Sequence, residues 1–152
     1  MVTIRARPTS KRVKVYLLGI GLSLAGGIGV VIGSALPWMG ARGVERSAFT
    51  LARVANEMNV FERRSQRFAV YALLMTPVLV PLGLFFVSIG WRRTGALVLF
   101  SCGLIGLASG VVGLWASIGQ RDGPIVTAIG GAIALFGSCL MVFSVGTRNQ
   151  TG

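Results

Sequence analysis

At 152 residues, with 53% hydrophobic and only 12% charged side chains and a mean hydropathy of +0.76, the chain excludes a water-soluble globule, which carries about 25% charged residues. It has no histidine and only four carboxylates, Glu45, Glu57, Glu62 and Asp122, which leaves little material for acid–base or metal chemistry. The net charge of +11 would point to nucleic acid in a soluble protein, but here the cations sit at the ends of apolar runs, where they orient helices and meet anionic headgroups.

Four stretches carry no charge at all: Val15 to Ala41, Phe68 to Trp91, Thr94 to Gln120 and Gly123 to Thr147. Each exceeds the roughly 20 apolar residues that a helix needs to cross ~30 Å of hydrocarbon. The sequence therefore predicts an all-α membrane protein, a bundle of four transmembrane helices with a short amphipathic helix in the first extracytoplasmic loop. Spans are expected at 16–36, 68–88, 96–118 and 125–145, with the loop at 39–67. Residues 15–147 then form one membrane domain between a basic arm, 1–14, and a tail, 148–152.

Arg5, Arg7, Lys11, Arg12, Lys14, Arg92, Arg93 and Arg148 fall on one side of such a bundle; Arg42, Arg46, Arg53, Arg63, Arg64, Arg67 and Arg121 fall on the other. The totals nearly balance, so orientation follows the first span, whose preceding cations outnumber Arg42 and Arg46 after it. Both termini are expected in the cytoplasm, with the chain in the plasma (inner) membrane. The first apolar run is too long for the core of a signal peptide.

The first span is rich in glycine, and Gly29 with Gly33 makes a GxxxG step that Ser23 and Gly27 extend. Small residues at that spacing let a second helix approach to backbone contact. The partner is either a second copy of the chain or a neighbouring helix of the same bundle, and Gly29→Leu or Gly33→Leu should disrupt assembly more than Val30→Leu. Leu36-Pro37-Trp38 closes the span, proline ending the helix and the indole suiting the interface.

In the loop, Leu51, Val54, Ala55 and Met58 recur at helical spacing while Arg53, Asn56 and Glu57 face away. A helix over 47–59 is expected, capped by Ser47 and carrying an Arg53–Glu57 pair. Leu51, Val54 and Met58 are candidates for docking a partner, although such a face also suits a connector lying on the membrane surface. Arg63, Arg64 and Arg67 are candidates for anionic lipid contact, or simply anchor the next span.

The second span contains Pro77 and Pro81; each removes a backbone donor, and Thr76 is placed to satisfy a freed carbonyl. The resulting kink serves either static packing or a hinge. Trp91 to Gly95 is too short for anything but an antiparallel helical hairpin. The third span carries Gly103, Gly106, Gly110 and Gly113, with Gly106 and Gly110 again a GxxxG step, and the fourth carries Gly130, Gly131, Ala134, Gly137 and Ser138. Small residues in three of four spans predict a tight bundle rather than a wide aqueous pore. Cys102 and Cys139 fall at similar depths and are expected as reduced, structural thiols.

No P-loop, metal-ligand set or intramembrane ionisable group emerges, so no catalytic, cofactor or metal residue is assigned. At Leu36-Pro37-Trp38 and Arg46-Ser47-Ala48-Phe49-Thr50-Leu51 the chain resembles a broad group of small four-helix membrane proteins of actinobacteria. The excess of arginine over lysine and the abundance of glycine, alanine and valine fit a GC-rich source. The resemblance implies an inner-membrane protein and carries over no catalytic residues. The expected role is a non-enzymatic accessory or assembly subunit of a larger envelope, transport or respiratory membrane complex. The partner is then another membrane protein or a second copy, with no nucleic acid. The alternative is a small oligomeric carrier or channel hinged at the prolines of the second span.

Overall fold

The structure, a computed structural model, describes residues 10–41, 44–57, 64–115 and 122–146. In chain order these form helix α1 (Ser10–Ala35), strands β1 (Pro37–Ala41) and β2 (Val44–Ser47), and helices α2 (Ala48–Glu57), α3 (Arg64–Ser88), α4 (Arg92–Trp115) and α5 (Asp122–Gly146). Helices α1, α3, α4 and α5 are each long and apolar enough to cross a membrane.

The long helices coincide with the charge-free stretches but start earlier. Helix α1 begins at Ser10 and α3 at Arg64, several residues before the expected spans. Arginine and lysine are good helix formers; charge limits how much of a helix lipid can cover, not how far the helix runs.

Helix α5 is the centre of the bundle, packed chiefly against α1 and α4, while α3 packs mainly on α4. Two consecutive glycines explain its position. A Cβ on Gly130 would meet the backbone of Gly26, Gly29 and Val30, and one on Gly131 would meet the backbone of Gly103, Gly106 and Leu107. Adjacent helical residues point about 100° apart, so the pair opens one notch toward each neighbour.

The α1–α5 contact is an antiparallel seam of small residues. Gly33 lies against Thr127, Gly26 against Gly130 and Ala134, and Gly19 against Gly137 and Met141. Ser23 and Val30, both fully buried, fill the intervening layers. Positions 19, 23, 26, 30 and 33 alternate in steps of four and three, the spacing that keeps one stripe of a helix facing its partner. A methyl on Gly26 would come within 2.6 Å of the Gly130 carbonyl oxygen, so the two backbones touch with nothing between them.

The α3–α4 contact is built differently. The Leu99 side chain fills the notch at Gly83 and the Val87 side chain fills the notch at Gly95. Two further side chains tie α1 to the pair: Val80 of α3 against Gly27, and Val30 against Gly106 of α4. Leu99, Ala96 and Met141 form a buried cluster bordered by Tyr16, Ile20 and Val87.

The turn between α3 and α4 is closed by paired backbone bonds: the Trp91 N–H donates to the Phe86 carbonyl (2.9 Å) and the Gly90 N–H to the Val87 carbonyl (3.2 Å). This is the Schellman arrangement, whose left-handed residue is Gly90 with φ of 89°. Its accompanying apolar contact is the stack of Trp91 on Phe86, with centroids 5.9 Å apart and rings 7° from parallel.

Helix α3 runs unbroken through Pro77 and Pro81, and both prolines are exposed. The Thr76 hydroxyl donates to the Ala72 carbonyl at 3.3 Å. This corrects the sequence-based expectation, because the carbonyl that Pro77 leaves without its i+4 donor is that of Leu73.

Candidate interaction surfaces

The stretch between α1 and α3 holds two features. The first is an antiparallel β1–β2 hairpin, pairing Met39 with Arg46, Gly40 with Glu45 and Ala41 with Val44, and irregular between Pro37 and Met39. It was not foreseen. Its available signal is the two residues between the strands, Arg42-Gly43, a spacing that suits a two-residue hairpin loop, but neither strand alternates long enough to be read alone.

The hairpin carries Trp38 inward rather than along an interface. The indole N–H donates to the Gly33 carbonyl at 2.9 Å, an acceptor near the end of α1. The ring lies against Gly113 of α4 and against Gly123 and Pro124 at the start of α5. A single side chain thus clamps three helix ends, and Gly123 is needed because a side chain there would displace the indole.

The second feature is α2. Its Ser47 cap forms as expected, with the Thr50 N–H donating to the Ser47 hydroxyl oxygen at 3.4 Å. The helix spans Ala48–Glu57, and positions 58 and 59 of the expected 47–59 lie outside the described residues. Its most buried residues are Ala48 and Ala52, one turn apart, whereas Leu51 and Val54 are half-buried and Arg53 and Glu57 exposed. Two alanines therefore seat α2, which packs against α3, α1 and the adjoining β2, and Leu51 and Val54 flank that seat. Sequence reading missed the alanines because they contribute little to an apolar stripe. Met58 and Arg63 lie outside the described residues; Arg64 and Arg67 fall in the first two turns of α3.

The glycine candidates separate by partner. Gly33 faces α5, and Gly29 borders the same seam, its Cβ direction passing 3.2 Å from the Gly130 Cα. Gly27 faces α3 instead. Gly106 and Gly110 point their Cβ directions to different partners: one on Gly106 meets Val30 of α1, although its backbone also borders Gly131 of α5, and one on Gly110 meets Ala128 of α5. Val30 is fully buried, so Val30→Leu is no neutral comparison for the glycines. Gly21 has nothing within 4 Å of its Cβ position and supplies one.

The buried hydroxyls serve packing. Ser138 donates to the Ala134 carbonyl at 2.8 Å, and the Ser23 hydroxyl lies 3.2 Å from the Ser138 hydroxyl and 3.5 Å from the Ala134 carbonyl oxygen, so Ser23 carries the polar contacts across the α1–α5 seam. Thr127 donates to the Gly123 carbonyl at 2.8 Å. Ser34 is fully buried with no hydrogen-bond partner. Cys102 is buried and Cys139 half-buried, both free thiols. Among the described residues no three His, Cys, Asp or Glu side chains come together to hold a metal. No protein-family model, curated protein or solved structure matches the chain.

Proposed function

We propose that the chain is a multi-pass protein of the bacterial plasma membrane, similar in kind to small actinobacterial four-helix proteins, acting as a non-enzymatic accessory or assembly subunit of a larger membrane complex. The observation that carries this reading is the contrast between interior and periphery. The interior is sealed by glycine notches, its buried hydroxyls at Thr127 and Ser138 are bonded within the bundle, and none of the four carboxylates lies in the apolar interior of a long helix. Substrate transport or proton coupling by one copy would need ionisable or open positions at mid-depth. What is left to do work is the periphery, where α2 offers Leu51 and Val54 half-covered beside the anchored Ala48–Ala52 face.

Both termini are assigned to the cytoplasm, with α2 and the hairpin outside. Labelling of Glu57→Cys in intact cells, in a Cys102→Ser, Cys139→Ser background, is the expected result; labelling only after lysis would reverse the orientation. Affinity purification in mild detergent is expected to recover a stoichiometric membrane-protein partner. Combined Leu51→Ser and Met58→Ser should release it while the four long helices still insert, because their hydropathy is untouched. Recovery of the chain alone as a homo-oligomer would favour the carrier, and unchanged partner yield in the double variant would remove α2 from the interface.

A further inference from the structure

We infer that the end of the bundle formed by the start of α1 and the α3–α4 turn holds the headgroup phosphate of an acidic phospholipid, with Arg92 and Arg93 as its cationic contacts. The inference rests on the membrane placement proposed above, but not on any partner protein.

Charge is the first observation. At this end Lys11, Lys14, Arg92 and Arg93 are all exposed, whereas the carboxylates among the described residues, Glu45, Glu57 and Asp122, all belong to segments of the opposite end. Cations flanking the opposite end have carboxylates among them; these have none.

The second observation is how the two arginines are held. They are the first two residues of α4, and Trp91, whose carbonyl accepts the Gly95 N–H at 2.9 Å, stands where a capping side chain would be. An indole offers no acceptor to the free N–H groups of the first turn. Two positive side chains at the positive end of a helix dipole repel it, unless an anion is shared between them and those N–H groups. Arg92 is also fixed across the helix junction, its guanidinium carbon 5.0 Å from the Tyr16 ring centroid, a cation–π contact that holds one cation in place.

The third observation selects a lipid over a free phosphate. Phe85 in the last turn of α3 and Ile89 and Trp91 in the turn leading to the arginines are exposed, so the cationic corner has an apolar skirt on which acyl chains and glycerol can rest. Free phosphate has no use for that skirt; a phosphodiester at the membrane interface uses both parts.

Native mass spectrometry of the purified full chain, titrated with phosphatidylglycerol or with phosphatidylcholine of the same acyl chains, tests this. Phosphatidylglycerol should bind more tightly. Arg92→Gln with Arg93→Gln should weaken it by about thirtyfold, roughly fivefold for each charge, and leave phosphatidylcholine unchanged. Tyr16→Phe should retain the affinity and Tyr16→Leu reduce it, since the ring rather than the hydroxyl steadies Arg92. Inorganic phosphate should not displace the lipid. Equal affinity for the two lipids, full retention in the double variant, or displacement by inorganic phosphate would each overturn the proposal. Equal melting temperatures of all variants in phosphatidylcholine secure the comparison. Carbonate extraction of whole membranes tests the membrane placement separately, since a chain that washes off was never an integral protein.

Discussion

The α1–α5 and α3–α4 interfaces solve one problem in opposite ways. Between α1 and α5 both helices contribute small residues, and backbone meets backbone at Gly26 and Gly130. Between α3 and α4 a side chain enters each notch, Leu99 at Gly83 and Val87 at Gly95, and backbone comes close only at Gly95, whose Cβ direction passes 2.8 Å from the Gly83 carbonyl oxygen. In the membrane placement proposed above, lipid tails are as apolar as leucine, so burial of apolar surface gives helices no reason to associate and contact quality must do so. A backbone-to-backbone seam maximises contact but has no component that can yield. A knob in a notch can give way by moving or shortening the knob.

The largest effect should come from filling the seam. Gly26→Leu is expected to cost about 3 kcal/mol, the upper range for overpacking, measured as lost resistance to dodecyl sulfate unfolding in detergent. Gly21→Leu should stay within about 0.5 kcal/mol, as for a substitution that touches nothing. Similar losses from both would mean that the seam does not exist in solution.

Rescue sharpens the contrast. Gly83→Ala should cost about 1.5 kcal/mol because its methyl would lie 2.7 Å from the Leu99 Cγ, and much of that cost should vanish in a Leu99→Ala background. Gly26→Ala should show no such relief from Ala134→Gly, because its methyl meets the Ala134 backbone, 2.7 Å from the Cα. A double-mutant cycle in each interface reads the difference directly. Coupling at the seam as large as at the notch would erase the distinction.

Smaller effects come from the polar contacts at the seam. Trp38→Phe keeps most of the ring but loses the bond to the Gly33 carbonyl, for about 1 kcal/mol in the same assay. Ser23→Ala should cost about 0.6 kcal/mol, the mean for interhelical hydrogen bonds between membrane helices, since the Ser138 hydroxyl keeps its bond to the Ala134 carbonyl. A Ser23 effect larger than that of Gly26→Leu would make hydrogen bonding the chief source of cohesion.

Much of this architecture was legible in the sequence, for reasons that are physical and uneven. The four long helices follow from charge-free runs, because no other regular structure hides that much backbone from lipid within one segment. The Ser47 cap was legible because one hydroxyl and one N–H decide it locally. The partners of the glycines were not. GxxxG states that some helix can come close, and Gly106 and Gly110 have the spacing yet divide between α1 and α5. The seven-residue stripe of Gly19, Gly26 and Gly33 carries the seam better than the Gly29–Gly33 step, because a four-residue step alone drifts around the helix. The hairpin was hidden because its decisive contact, Trp38 on Gly113, Gly123 and Pro124, joins residues far apart in the chain.

The seam also sets an order in time. Helix α1 ends at Ala35 and its main partner begins at Asp122, so a ribosome making this chain finishes α1 before α3 and α4, and those before α5. Until α5 is inserted, the glycine face of α1 has no match, while α3 and α4, joined by a turn of three residues, Ile89 to Trp91, can already pair. The nascent protein therefore passes through a stage with a competent hairpin and a first helix awaiting its mate. A chain truncated before α5 would present that face to any insertase or membrane protease that surveys unpaired helices.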